Sequence, residues 1–287
     1  MQSRFFIRVF LGFAAFFSIY NVVVAAIRPN LPLDYEAGER NVIIAERYLL
    51  RPAPNAVLVG SSMSRRLGYI DGGFENLALD GEGPLTGLDL VLRRSAYPQR
   101  VYVETNWLWR PLNKSFVGDV ADEPWATLRR LLPGLRHENR PINLLTARTL
   151  HDPLPSVVKL DPAVKDNEDP GVAVSVAWTV EHHGRATDEL RHQADRAAEV
   201  LRNQVDALRS RKVNVVLLWM PMHPLLAASP MFEYARDALE RELPAGRYEW
   251  LDIEDGKPFV TVDSIHLTGP SALRVAEILR RRASGHE

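Results

Sequence analysis

The chain has 287 residues, 46% of them hydrophobic and 25% charged, with a formal net charge of -1. That is material for one large globular domain or two small ones, and its charge balance gives no reason to expect nucleic acid as a partner. There are no cysteines, so a disulfide framework and a thiolate metal site are excluded.

Arg4 and Arg8 lead into Val9–Ile27, an apolar stretch broken only by Ser18, Tyr20 and Asn21. A helix of about 20 apolar residues crosses a bilayer, and positive charge on the N-terminal flank predicts a cytoplasmic N-terminus with the rest of the chain outside. Val24-Ala25-Ala26 also resembles a signal-peptide cleavage site, but the stretch exceeds the usual h-region of about 7 to 15 residues. The reading is therefore an uncleaved anchor over 1–28, with a buried core helix as the third alternative. Residues 29–54 read as a connector, with helical spacing over Ala37–Leu50 stopped by Pro52 and Pro54.

From Ala56 the pattern alternates. Strands are predicted over Ala56–Val59, Phe74–Leu79, Arg100–Thr105, Val213–Trp219 and Tyr248–Leu251. Helices are predicted over Met63–Leu67, Leu85–Ser95, Trp125–Leu132, Ala186–Arg211, Met231–Leu243 and Pro270–Arg282. Short apolar strands separated by helices predict an α/β domain over 55–287, with a parallel sheet covered on both faces. Residues 110–184, rich in Pro, Asn and His, interrupt the rhythm, with a further helical patch at Ile142–Leu150. An insertion there belongs above the carboxyl ends of the strands, either as a substrate-binding cap or as a decorating subdomain.

Four blocks close successive elements: Gly60-Ser61-Ser62, Asn76 to Gly81, Glu104-Thr105-Asn106, and Asp263-Ser264-Ile265-His266. In a parallel sheet these ends share one edge. By itself, Ser61 or Ser62 is a helix cap as readily as a nucleophile. With His266 in reach, a serine hydroxyl has a base for its proton, and Asp263 is placed to orient the imidazole and stabilise its cation. The N–H groups of Ser62 and Gly81 and the amide of Asn106 are the matching oxyanion donors.

These four blocks resemble the SGNH (GDSL-type) esterase and acyltransferase superfamily, named for a Ser, a Gly, an Asn and a His in this order. The resemblance covers roughly Ala56 to Trp109 and Val213 to Arg282. It implies a flavodoxin-like αβα sandwich of three layers around a central five-stranded parallel sheet, here preceded by one transmembrane helix. It assigns the nucleophile to Ser62, the oxyanion residues to Gly81 and Asn106, and the acid–base pair to Asp263 and His266. Two departures stand out: Ser61 replaces the family's usual Asp, and Trp107 rather than Asp follows Asn106. The Gly-Ser-Ser variant behind an N-terminal anchor also resembles the extracytoplasmic DltD-like and alginate-acetylation-type proteins. These work beside membrane-bound O-acyltransferases on cell-envelope polymers. The implied reaction is acyl transfer from an acyl donor to a polysaccharide acceptor, or ester hydrolysis, without metal or organic cofactor. The alternative, from a different class, is a non-catalytic scaffold or carbohydrate-binding subunit.

Other patterns carry less. Gly81-Glu82-Gly83 with Gly87 and Glu104 imitates a dinucleotide fingerprint, but with one residue too many in its spacing. Ser61, Trp107 and His223 are candidates to line the site. Trp107, Trp109 and Trp178 are either sugar-stacking or packing residues. His182 and His183 lack partners at metal-ligand spacing and read as loop residues. Arg280 to Arg282 suit a solvated helix end.

Overall fold

Short apolar runs become strands where both faces of the ribbon can be buried. In Ala56–Gly60 (β1) all five residues are buried, although successive side chains point to opposite faces. The structure, a computed structural model, describes residues 2–27, 36–68, 70, 73–143 and 170–283. They divide into two units, Met1–Leu50 with Gly118–Leu154, and Arg51–Val117 with Pro155–Glu287.

The second unit is α/β. Its strands are β1, Phe74–Ala78 (β2), Arg100–Glu104 (β3), Asn214–Leu218 (β4) and Glu249–Leu251 (β5). All four pairings are parallel and the order is β2-β1-β3-β4-β5, the order of flavodoxin-like doubly wound sheets. Each strand lies within a residue or two of its predicted limits. Register fixes the functional edge: Gly60 faces Ala78, Val59 faces Val103, and Glu104 faces Leu218.

The helices follow local rules. In the first unit are Gln2–Ile27 (α1), Ala37–Leu50 (α2) and Trp125–Leu131 (α6); the second holds Ser62–Arg65 (α3) and Pro84–Leu92 (α4), while Lys114–Ala121 (α5) runs across the boundary at Val117. Later in the second unit come Pro170–His183 (α7), Asp188–Ser210 (α8), Pro224–Ala227 (α9), Pro230–Glu242 (α10) and Gly269–Ala283 (α11). Thr187 caps α8 by accepting from Leu190 N at 3.3 Å, with Asp188 and Glu189 in the first turn. Its buried stripe is Ala194, Ala197, Ala198, Leu201, Val205 and Leu208, helical spacing that packs on α4, α10 and β4. Helices α5, α7 and α9 were not anticipated. Asn113, which accepts from Phe116 N at 3.0 Å to start α5, sits in a Pro- and Asn-rich stretch that reads as irregular. The patch expected at Ile142–Leu150 lies outside the described residues from 144 onward.

The stretch 110–184 is not one body. Arg110–Val117 and α7 belong to the α/β unit, whereas α6 and the 3₁₀ turns Pro133–Leu135 and His137–Asn139 group with α1 and α2. The cause is polar. The buried Glu46 carboxylate of α2 accepts from His137 N at 2.8 Å, lies 2.7 Å from His137 Nδ1 and pairs with Arg129 at 3.2 Å. Arg47 pairs with Glu138 at 2.7 Å. The expected connector helix is therefore an integral part of the first unit. In α1, Arg4–Ile27 is long and apolar enough to cross a membrane.

Gly87 tests the α/β packing. A Cβ there would stand 2.5 Å from Val59 Cγ1 on β1, and the β-branched valine has little freedom to yield. Gly87→Ala is expected to cost about 1–3 kcal/mol, read as a lower urea midpoint at unchanged slope.

Candidate active site

The turn from β1 into α3 is built around a buried acid. Glu104, the last residue of β3, accepts from Ser61 N at 2.9 Å, from Ser61 Oγ at 2.6 Å and from Ser64 N at 3.1 Å. Ser61 Oγ in turn accepts from Met63 N at 3.2 Å, which makes Ser61 the cap of α3. Gly60 is required here by space: a Cβ would lie 2.5 Å from Glu104 Oε2 and 2.7 Å from Glu104 Cβ. Arg110, half-buried, feels the Glu104 charge. Burial lowers its pKa, against the pull of Glu104 and Glu82.

Ser62, the first helical residue, is partly exposed. Its Oγ lies 2.9 Å from His266 Nε2, and His266 Nδ1 lies 2.6 Å from Asp263 Oδ2. The nucleophile and base predicted 204 residues apart therefore meet. The other Asp263 oxygen accepts from the N–H groups of Ile265 at 3.2 Å and His266 at 2.7 Å. Burial pushes the Asp263 carboxyl up, but its hydrogen bonds with His266 and Ile265 and the imidazole charge outweigh this and leave it below its ordinary value.

The loop that carries both residues is tightly held. Ser264 adopts φ 68°, a left-handed conformation uncommon outside glycine, and its hydroxyl donates to Asp263 O. Ser264 O accepts from His223 N at 3.0 Å, while Val262 N donates to His266 O at 2.8 Å.

Gly81 sits in the turn after β2 with φ 77°. Leu79 N donates to Gly60 O at 2.9 Å, and Arg65 of α3 pairs with Asp80. Both contacts bring this turn beside Ser62. Among the described residues no acceptor meets the backbone N–H of Ser62 or Gly81. Asn106 is fully buried. Its Nδ2 donates to Met220 O at 2.9 Å and its Oδ1 accepts from Met220 N at 2.7 Å, leaving one amide hydrogen uncommitted.

The residues expected to line the site have the following partners. Ser61 is fully buried and its hydroxyl is bound to Glu104. Trp107 is also buried, edge-on to Trp109, His183 and Phe232 with the Arg110 guanidinium 4.2 Å from its ring centroid. Its role is packing, as is that of buried Trp109. Trp178 is exposed and stacks on His182 at 4.1 Å. His223 uses Nδ1 to accept from Leu225 N at 3.3 Å and cap α9, and its backbone N–H meets Ser264 O in the loop that carries Asp263 and His266. His182 and His183 end α7 instead of lying in a loop. Burial, with Arg110 and His182 nearby, lowers the His183 pKa and favours its neutral form.

The dinucleotide imitation has a packing explanation. A Cβ at Gly83 would meet Trp107 O at 2.8 Å, and Glu82 accepts from Asn113 Nδ2 at 2.8 Å and Thr86 Oγ1 at 3.0 Å. Glu104, the acidic member of that pattern, is committed beneath Ser61. Among the described residues no group of three or more His, Asp or Glu side chains is arranged to hold a metal ion.

The Glu104 cradle escaped sequence reading because its partners lie 40 and 43 residues away; the one local signal was a carboxylate directly after the apolar run Val101–Val103. Glu104→Gln replaces an acceptor oxygen with a donor NH₂ facing backbone N–H. A loss of about 1–3 kcal/mol is expected, measured by chemical denaturation. The Asp263 carboxyl, depressed in the folded state, stabilises the fold above its ordinary pKa and ceases to do so as pH falls through the depressed value. The stability difference between wild type and Asp263→Asn should therefore shrink between neutral pH and about pH 3, measured by urea unfolding at each pH.

No family model matches the chain and no curated protein matches it, so a function has to be argued from the geometry of Ser62, His266 and Asp263.

Proposed function

We propose that this chain is an SGNH-type serine esterase or O-acyltransferase, anchored by α1 in the cytoplasmic membrane with its α/β unit outside the cytoplasm. Its substrate class is an acyl ester donor and a cell-envelope polysaccharide or its precursor. The observation that carries the proposal is the hydrogen-bonded series of Ser62 Oγ to His266 Nε2 at 2.9 Å and His266 Nδ1 to Asp263 at 2.6 Å, within the range for a nucleophile and its base.

In this reading Ser62 Oγ attacks the acyl carbonyl carbon while His266 Nε2 takes the hydroxyl proton. Asp263 holds the Nδ1–H tautomer and stabilises the imidazolium. The tetrahedral oxyanion takes hydrogen bonds from the N–H groups of Ser62 and Gly81, with the remaining Asn106 hydrogen as a third donor. On collapse the leaving oxygen receives the proton from His266 and the acyl group stays on Ser62. His266 then deprotonates a sugar hydroxyl or water, which attacks the acyl-serine, and the proton returns to Ser62 as the ester or acid departs.

The two free N–H groups support the oxyanion assignment, and Arg4 and Arg8 before the apolar helix support the topology. The resemblance to alginate-acetylation-type proteins suggests a membrane-bound O-acyltransferase as partner.

The test is intact-mass spectrometry of the full chain in detergent after brief exposure to p-nitrophenyl acetate. One acetyl group mapping to Ser62 is expected, absent in Ser62→Ala and formed about 10²–10⁴-fold more slowly in His266→Ala. Acetylation unaffected by Ser62→Ala overturns the proposal. Full polymer acylation in cells carrying Ser62→Ala would establish the scaffold role instead. Turnover of small acetyl esters that is the same with and without oligosaccharide would restrict the activity to hydrolysis.

A further inference from the structure

Helix α1 does not simply leave the protein. Near its C-terminal end, Tyr20 Oη donates to Asn139 O and Asn21 Oδ1 accepts from Gly134 N at 2.8 Å. Gly134 approaches so closely that a Cβ there would stand 2.9 Å from the Tyr20 ring. Val24 is buried on the same helix, whereas Phe5, Phe10, Phe13, Phe16 and Ile19 are exposed.

These contacts fix a height. At about 1.5 Å per residue, Tyr20 lies about 24 Å and Val24 about 30 Å along the axis from Arg4. The hydrocarbon core is about 30 Å thick. If α1 crosses the bilayer from Arg4, the turn at Pro133–Leu135 is held at the boundary between acyl chains and headgroups. This inference rests on the anchor reading above.

The side chains presented there suit that depth. Outside α1, eight large hydrophobic residues are exposed among the described residues, and four of them fall in this one stretch: Trp125 at 61%, Leu131 at 69%, Leu135 at 37% and Ile142 at 62%. Trp125, Leu128 and Leu131, spaced three apart, share one arc of α6. Arg130 and Arg140 are exposed between them, and cations are attracted to the phosphates of anionic lipid. Tryptophan beside arginine and aliphatic residues is the composition of an interfacial contact.

We infer that the exposed apolar side chains from Trp125 to Ile142 form a membrane-contact surface of the first unit, seated in the headgroup layer beside α1, and that lipid is their partner. The surface adds a second, interfacial attachment to the transmembrane one. It makes the first unit a body lying on the bilayer, not a tether leading away from it.

The chain has no cysteine, so single labels can be placed without removing any. Leu131→Cys, Ile142→Cys and Phe10→Cys full-length chains would carry a nitroxide and be reconstituted into phosphatidylcholine–phosphatidylglycerol vesicles. Accessibility to oxygen, which concentrates in lipid, would be compared with that to a water-soluble nickel chelate. All three substituted side chains are exposed, so folding does not depend on them. The expected result is oxygen exceeding nickel at 131 and 142 as well as at 10. Nickel exceeding oxygen at 131 or 142, with oxygen dominant at 10, overturns the surface and leaves the anchor standing. Labels at 131 and 142 shielded from both reagents show a protein partner and also overturn it. Nickel dominance at 10 removes the anchor and the inference together.

Discussion

A carboxylate buried beneath a serine turn sets the geometry at the carboxyl edge of the α/β unit's sheet. A carboxyl group in the interior is tolerated only when its oxygens are hydrogen-bonded, and those of Glu104 are met by Ser61 and Ser64. Those bonds engage the donors around the first turn of α3, leaving the Ser62 hydroxyl to His266 Nε2 and its backbone N–H without an acceptor among the described residues. They also account for the departure at position 61. An aspartate in place of Ser61 would set a second carboxylate against Glu104 in a site without solvent, where like charges cannot both remain ionised. Serine at position 61 instead supplies the donor that Glu104 accepts from.

The opposite wall of the site is held by backbone. Ser264 in a left-handed conformation reverses the chain between Asp263 and His266 so that one carboxylate serves the imidazole and the loop's own N–H groups. Strain at such a residue persists where surrounding contacts over-determine it, and the His223 N–H on Ser264 O is one of them. Asn106 and Met220, bonded in both directions, fasten the end of β3 to the end of β4. Ser62 and Asn106 follow two different strand ends, Asp263 and His266 share the loop before α11, and polar contacts tie these segments together across the sheet edge.

What could be read in the sequence follows from the range of each signal. Short apolar runs such as Ala56–Val59, between Asn55 and Gly60, announced strands, because burial on both faces leaves a mark within the run itself. The meeting of Ser62, Asp263 and His266 was legible because a Ser–His–Asp arrangement calls for those residue types on one edge of a parallel sheet. Polar contacts between distant segments left no such mark. Glu104 looked like the end of a strand, and Asn106 looked free to face a substrate, whereas Met220, 114 residues on, holds it. The division of 110–184 between two units was equally hidden. It depends on Glu46 and Arg47 finding partners 91 residues away, and an amphipathic helix between prolines is indistinguishable from a connector until those partners are known.

Two glycines at adjacent strand ends resist substitution for unrelated reasons. At Gly60 the obstacle is volume, since any β-carbon collides with Glu104 whatever the torsion angles. At Gly81 a β-carbon would meet open space and the obstacle is handedness, since φ 77° disfavours L-residues. A mirror-image residue relieves a handedness constraint but not a volume constraint. At Gly60 a residue of either hand meets the same obstacle, while at Gly81 only an L-residue is disfavoured.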